Sequence, residues 1–178
     1  DISGGHIVFI GTTGHFNLTN CDDFTAGTKS VVFYNGVDGE ITSAGKSLYT
    51  LQVGSNANGG TVTVNDQLDI DNNILVYDGG ATTLDITDQT MLYSGASLDL
   101  TNLDTFTVSG STVIFDGTTT ATSGGNGFNN VTIGTDSASG ALTLADTADI
   151  DGSLVFNTTF GTAVLDMGSQ TLTYAGSS

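Results

Sequence analysis

The chain has 178 residues, of which 19 are acidic and two are basic (Lys29 and Lys46), so its net charge is −17. This charge makes nucleic acid and anionic membrane surfaces poor partners. The hydrophobic fraction of 38% is nevertheless high enough to bury a core, and no apolar run is long enough to span a membrane. We therefore expect a folded chain with no nucleic-acid partner and no membrane span.

Residues 1–14 contain an apolar run that we expect to form a strand. This segment is either an N-terminal cap or a donor strand that pairs with another subunit, through Ile7, Val8, Phe9 and Ile10. A start at Asp1 without Met is typical of a processed, exported chain. Cys21 is the only cysteine, so we expect it to pack as an apolar residue.

Polar and apolar residues alternate along most of the remaining chain. This period of two predicts strands with one buried and one solvated face. Short Gly-, Asn- and Asp-rich turns separate the strands, and Pro is absent, as suits a sheet that needs nearly every N–H. The clearest alternating segments are 61–65, 68–71, 84–87, 98–101 and 141–145. We expect an all-β fold.

The sequence also contains an internal repeat. Residues 16–25 align with 98–107 without a gap, and Asp69-Ile70-Asp71 recurs as Asp149-Ile150-Asp151. The matches predict two units of about 81 residues, at 15–95 and 96–178, within one continuous domain. They preserve apolar positions and turn glycines, which indicates a shared architecture.

Two all-β architectures fit these strands, a parallel β-helix (β-solenoid) and a tandem of antiparallel β-sandwiches. We favour the solenoid because residues 92–98 join the two units without a flexible linker. The very short turns and the small or β-branched residues at the predicted inward positions also suit stacked coils.

Several segments resemble the repeats of large microbial surface proteins, namely right-handed β-helical adhesins and their relatives in filaments and sheaths. The segments that carry this resemblance are 111–117, 128–133, 149–154, 165–166 and 170–173. The resemblance implies an extracellular location and a structural or adhesive role, and it supplies no catalytic residues.

Two D-x-D pairs are candidate calcium ligands, because alternate residues of a strand share one face and calcium prefers oxygen ligands. They are Asp69 with Asp71 and Asp149 with Asp151. The alternative interpretation is a solvated strand face. No other cofactor is expected. Asn17, Asn130 and Asn157 lie in N-glycosylation sequons.

The sequence thus favours a structural subunit or module that assembles head to tail with copies of itself. The terminal coils of a solenoid have unpaired edges, and we expect the first strand to meet the region of Tyr174 in a neighbouring copy. The alternative is a cell-surface module that binds calcium or carbohydrate. We do not expect an enzyme, since no paired carboxylates with accompanying basic residues can be identified.

Overall fold

The computed structural model describes residues 1–2 and 4–176, and within them it has nineteen β-strands and no helix. The strands are β1 (Ile7–Ile10), β2 (Thr13–Asn17), β3 (Ser30–Tyr34), β4 (Asp38–Thr42), β5 (Ser47–Val53), β6 (Gly60–Val64), β7 (Leu68–Val76), β8 (Thr82–Asp85), β9 (Thr90–Tyr93), β10 (Ser97–Asp99), β11 (Thr105–Thr107), β12 (Thr112–Phe115), β13 (Thr118–Thr122), β14 (Asn130–Ile133), β15 (Gly140–Leu144), β16 (Ala148–Ile150), β17 (Leu154–Phe156), β18 (Ala163–Asp166) and β19 (Leu172–Tyr174).

Each strand pairs in parallel with a strand of a neighbouring coil. The largest sheet has eight strands in the order β1-β3-β5-β7-β9-β12-β14-β17, and sheets of five, four and two strands complete the coils. About seven coils stack in this way, so the predicted β-solenoid is confirmed. Antiparallel sandwiches are excluded, because every strand pairing is parallel among the described residues.

The coils differ in length. Val113 pairs directly with Val131, whereas Phe16 pairs with the more distant Ile41. The strands of these two coils have only four or five residues each, so the corners between them account for the difference.

The core is a column of inward side chains that run from coil to coil. Leu48, Ile70 and Tyr93 stack in successive coils of the eight-stranded sheet, and all three are fully buried. Aromatic rings continue the column, as where the Phe9 and Phe33 rings stack with centroids 4.9 Å apart. The alternation in the sequence therefore gives one continuous apolar core.

Asp side chains fasten neighbouring coils together at the corners. The Asp66 carboxylate accepts hydrogen bonds from the backbone N–H groups of Ser43 (2.8 Å) and Ala44 (2.6 Å) in the preceding coil. Asp146 accepts the corresponding pair at 2.7 and 2.8 Å. These bonds satisfy corner amides that have no ladder partner, and bonds of this charge-assisted kind are stronger than neutral ones.

Matched positions of the two predicted units keep these local bonds, but some of them lie in different sheets. Phe16 belongs to the five-stranded sheet, whereas its match Leu98 belongs to the four-stranded sheet. The division into two units remains a prediction.

Candidate assembly interfaces

The first coil presents one edge of the eight-stranded sheet. Strand β1 pairs with β3 and has no second ladder partner among the described residues. Ile7 and Phe9 point inward and pack against the core, whereas Val8 and Ile10 point outward and are 48% and 74% exposed. The four β1 residues predicted for assembly are therefore divided, two facing the core and two facing solvent.

The last coil presents three edges at once. Strands β17, β18 and β19 each end their sheet. Phe156 pairs with the fully buried Ile133 and is 46% exposed, and Tyr174 pairs with the buried Ile150 and is 42% exposed. Both side chains continue the core column to an uncovered surface. Other exposed apolar residues of this coil are Val155, Phe160, Val164 and Met167.

Sequence reasoning selected Tyr174 in this coil but missed Phe156. The available signal was the inward register, because Phe156 alternates with its neighbours as Ile133 does one coil earlier. Its exposure could not be predicted, since it depends on which coil lies beyond it.

The two ends of the solenoid have matching polarity. Strands β1 and β17 are the opposite edges of one parallel sheet, so a second copy placed beyond β17 would present β1 in the same strand direction. Such a contact joins two different surfaces and can repeat without closing. Unpaired edges of this kind are templates for further strands.

The four candidate calcium ligands lie in two separate places. Asp69 and Asp71 belong to β7 of the eight-stranded sheet, whereas Asp149 lies in β16 of the two-stranded sheet and Asp151 follows it. Within the described part of the chain, no three His, Cys, Asp or Glu side chains are placed to hold a metal ion. The Asp71 carboxylate instead accepts a hydrogen bond from the Ser47 hydroxyl at 3.0 Å.

The surroundings of Asp69 alter the acidity of its carboxyl group. Its side chain is half-buried, and this burial is the main cause that raises its pKa from 3.8 to about 6. The negative charges of Asp71 and Asp116 act in the same direction. Asp116 accepts a hydrogen bond from the Ser94 hydroxyl of the preceding coil at 2.7 Å. Two acidic side chains therefore repel the Asp69 carboxylate.

The three sequon asparagines differ in how their side chains are used. Asn17 is exposed, and its carbonyl oxygen accepts the Thr19 N–H at 2.9 Å. The Asn130 amide donates to the Ser111 carbonyl (2.8 Å), and its oxygen accepts the Ser153 N–H. The Asn157 amide donates to Asp136 at 3.0 Å. Glycosylation of Asn130 or Asn157 would replace these bonds between coils, so Asn17 has the most accessible geometry.

Residues near the N-terminus have structural contacts. Cys21 is partly buried against the core, as expected for an apolar residue, and its thiol lies 3.1 Å from the Asp23 carbonyl. The His6 ring accepts the Ser30 N–H at 3.1 Å and so fastens the chain ahead of β1 to the second coil.

A scan against protein-family models found no match, and neither did searches of curated proteins and of solved structures. None of the described residues forms a helix of the length and apolarity needed to cross a membrane. Functional inference therefore depends on the residues and surfaces of this chain.

Proposed function

We propose that the chain is a structural module of an extracellular filament, sheath or adhesin that assembles head to tail. The observation that carries this proposal is the uncovered core at the last coil, with Phe156 and Tyr174 in the inward register and about half exposed. The extracellular setting is supported by the resemblance of the repeat segments to microbial surface proteins.

The first coil of a neighbouring copy suits this surface. It brings an unpaired parallel edge, β1, and the partly buried apolar side chains Ile7 and Phe9. Stacking would extend the ladder and bury apolar area on both copies. Each aromatic side chain that becomes largely buried should stabilise the contact by about 1 to 2 kcal/mol. In the alternative, further coils of a longer chain cover the surface of this last coil, and the chains would then remain monomeric.

The net charge of −17 on each copy opposes the contact. Like charges are screened over about 10 Å at 0.1 M salt and over about 3 Å at 1 M. Assembly should therefore increase with salt concentration, which distinguishes an apolar contact from attraction between opposite charges.

The test is sedimentation velocity combined with negative-stain microscopy at increasing protein and salt concentrations. We expect linear assemblies that grow with both, and the variant Phe156→Ser should reduce them strongly while keeping the β-type circular dichroism spectrum. The control is Tyr34→Ser, which removes an aromatic of similar exposure (44%) from β3, a strand that already pairs on both sides. Single particles under all conditions, or equal loss in both variants, would refute the proposal.

A further inference from the structure

The parallel ladder is interrupted near the middle of the solenoid. Strand β7 continues the ladder to β9 through residues 68–70 alone. Its second half, residues 73–76, lies beside β10, yet β10 pairs with β13 and with no other strand of the described chain. Two neighbouring segments are therefore adjacent without a ladder between them.

The Tyr93 side chain lies at this interruption. Its hydroxyl donates to the Ser97 carbonyl oxygen and lies 3.3 Å from the Asn72 carbonyl oxygen. Tyr93 is fully buried, and burial raises the pKa of its hydroxyl. Gly95 permits the approach, because an added Cβ would overlap the Asn72 carbonyl oxygen. A phenol oxygen thus stands where a ladder bond would join the two strands.

A polar groove opens beside the Tyr93 hydroxyl. One wall is residues 73–76, and the other carries Ser97, Asp99 and Asn102. The Asn102 amide bridges the walls by donating to the Val76 carbonyl at 3.3 Å. The groove has a volume of about 240 Å³. It borders a smaller one that shares Asn102 and is lined by Asp78, Thr101, Leu103 and Asp104.

We propose that these joined grooves bind a neutral saccharide. Amide side chains both donate and accept hydrogen bonds and carboxylates accept them, which is the mixture that a row of sugar hydroxyls requires. Asp78, Asp99 and Asp104 exclude an acidic sugar, because neither of the two lysines of the chain lines the grooves to balance its charge.

The volume of the groove and its occupied backbone groups restrict the class of ligand further. A groove of about 240 Å³ is smaller than most small-molecule sites and holds one or two sugar rings. An added peptide strand is disfavoured, because the Asn72 and Val76 carbonyl oxygens already contact the side chains of Tyr93 and Asn102. The site does not depend on filament formation, since it lies on the side of the solenoid.

The test is an NMR titration of the ¹⁵N-labelled full chain with cellotetraose, maltotetraose and chitotetraose, and with tetragalacturonate as the acidic comparison. At least one neutral probe should shift the amide signals of residues 73–76 and 97–104 at concentrations up to about 20 mM, the range suited to a small, shallow site. Tetragalacturonate should leave these amide signals unshifted.

Two variants locate the site. Asn73→Ala and Asp99→Ala should each weaken binding by about five-fold or more, as expected for a lost hydrogen bond. Asp149→Asn, which changes an exposed acid in a different sheet, should bind like the parent. If Asp99→Ala does not fold, Asn73→Ala alone decides the result. Absence of shifts with every neutral probe, shifts elsewhere, equal binding of tetragalacturonate, or unchanged affinity in the folded variants would overturn the proposal.

Discussion

Replacing Asp69 by Asn should stabilise the fold at neutral pH. The native pKa of Asp69 is about 6, against an ordinary value of 3.8, so ionising this carboxyl is costly in the folded chain. Between about pH 4 and pH 6 the native state binds more protons at this site than the unfolded state does. The contribution of Asp69 to the free energy of unfolding therefore falls as the pH rises through that window, and the full penalty remains above it.

The size of the effect follows from the shift. A change from 3.8 to about 6 corresponds to about 3 kcal/mol if it is fully realised. Asp69 is only half-buried and solvent screens its neighbours, so we expect about 1 kcal/mol. Asn has nearly the same shape and carries no charge, so Asp69→Asn should raise the free energy of unfolding by about 1 kcal/mol at pH 7 and by much less near pH 4.

Urea unfolding of the parent and the variant at both pH values measures this difference. The matched control is Asp149→Asn, which removes one negative charge at the position aligned with Asp69 but on an exposed site. Equal stabilisation by the two variants would show that net charge alone is responsible. Destabilisation by Asp69→Asn at pH 7, or a gain that does not change between pH 4 and pH 7, would refute the reasoning about local repulsion.

Two further substitutions test how the coils are held together. Asp66→Ala removes the acceptor of two corner amides and should lower the free energy of unfolding by about 1 to 3 kcal/mol in the same urea experiment. Asp149→Ala, an exposed position, should change it by less than about 0.5 kcal/mol, and an equal loss in both variants would contradict the role of the corner bonds. Gly59→Ala places a Cβ against the Ala81 carbonyl oxygen of the next coil and should cost more than about 2 kcal/mol. Gly4→Ala meets no described atom within 4 Å and should be neutral in thermal unfolding, so similar melting temperatures for both glycine variants would contradict the close approach of the coils at Gly59.

The sequence predicts which residues face inward better than it predicts which strands are neighbours. Val62 and Val64 alternate with threonines and are buried as expected. Strand pairing depends instead on the number of residues in each coil, which changes along the solenoid because the corners differ in length. No local sequence pattern indicates how many residues a coil contains. The role of Asp66 is similarly hidden, since its partners Ser43 and Ala44 are brought to it by coil stacking alone.

The gap in the ladder lies where the four-stranded sheet begins, because β10 pairs with β13 and, among the described strands, not with the second half of β7. Tyr93 lies beside this gap, and its hydroxyl contacts backbone carbonyls of both unpaired segments. The corner bonds of Asp66, before the gap, recur at Asp146, after it, so the gap interrupts strand pairing without changing how these corners are held. The groove of the proposed saccharide site is therefore a consequence of this local break in strand pairing.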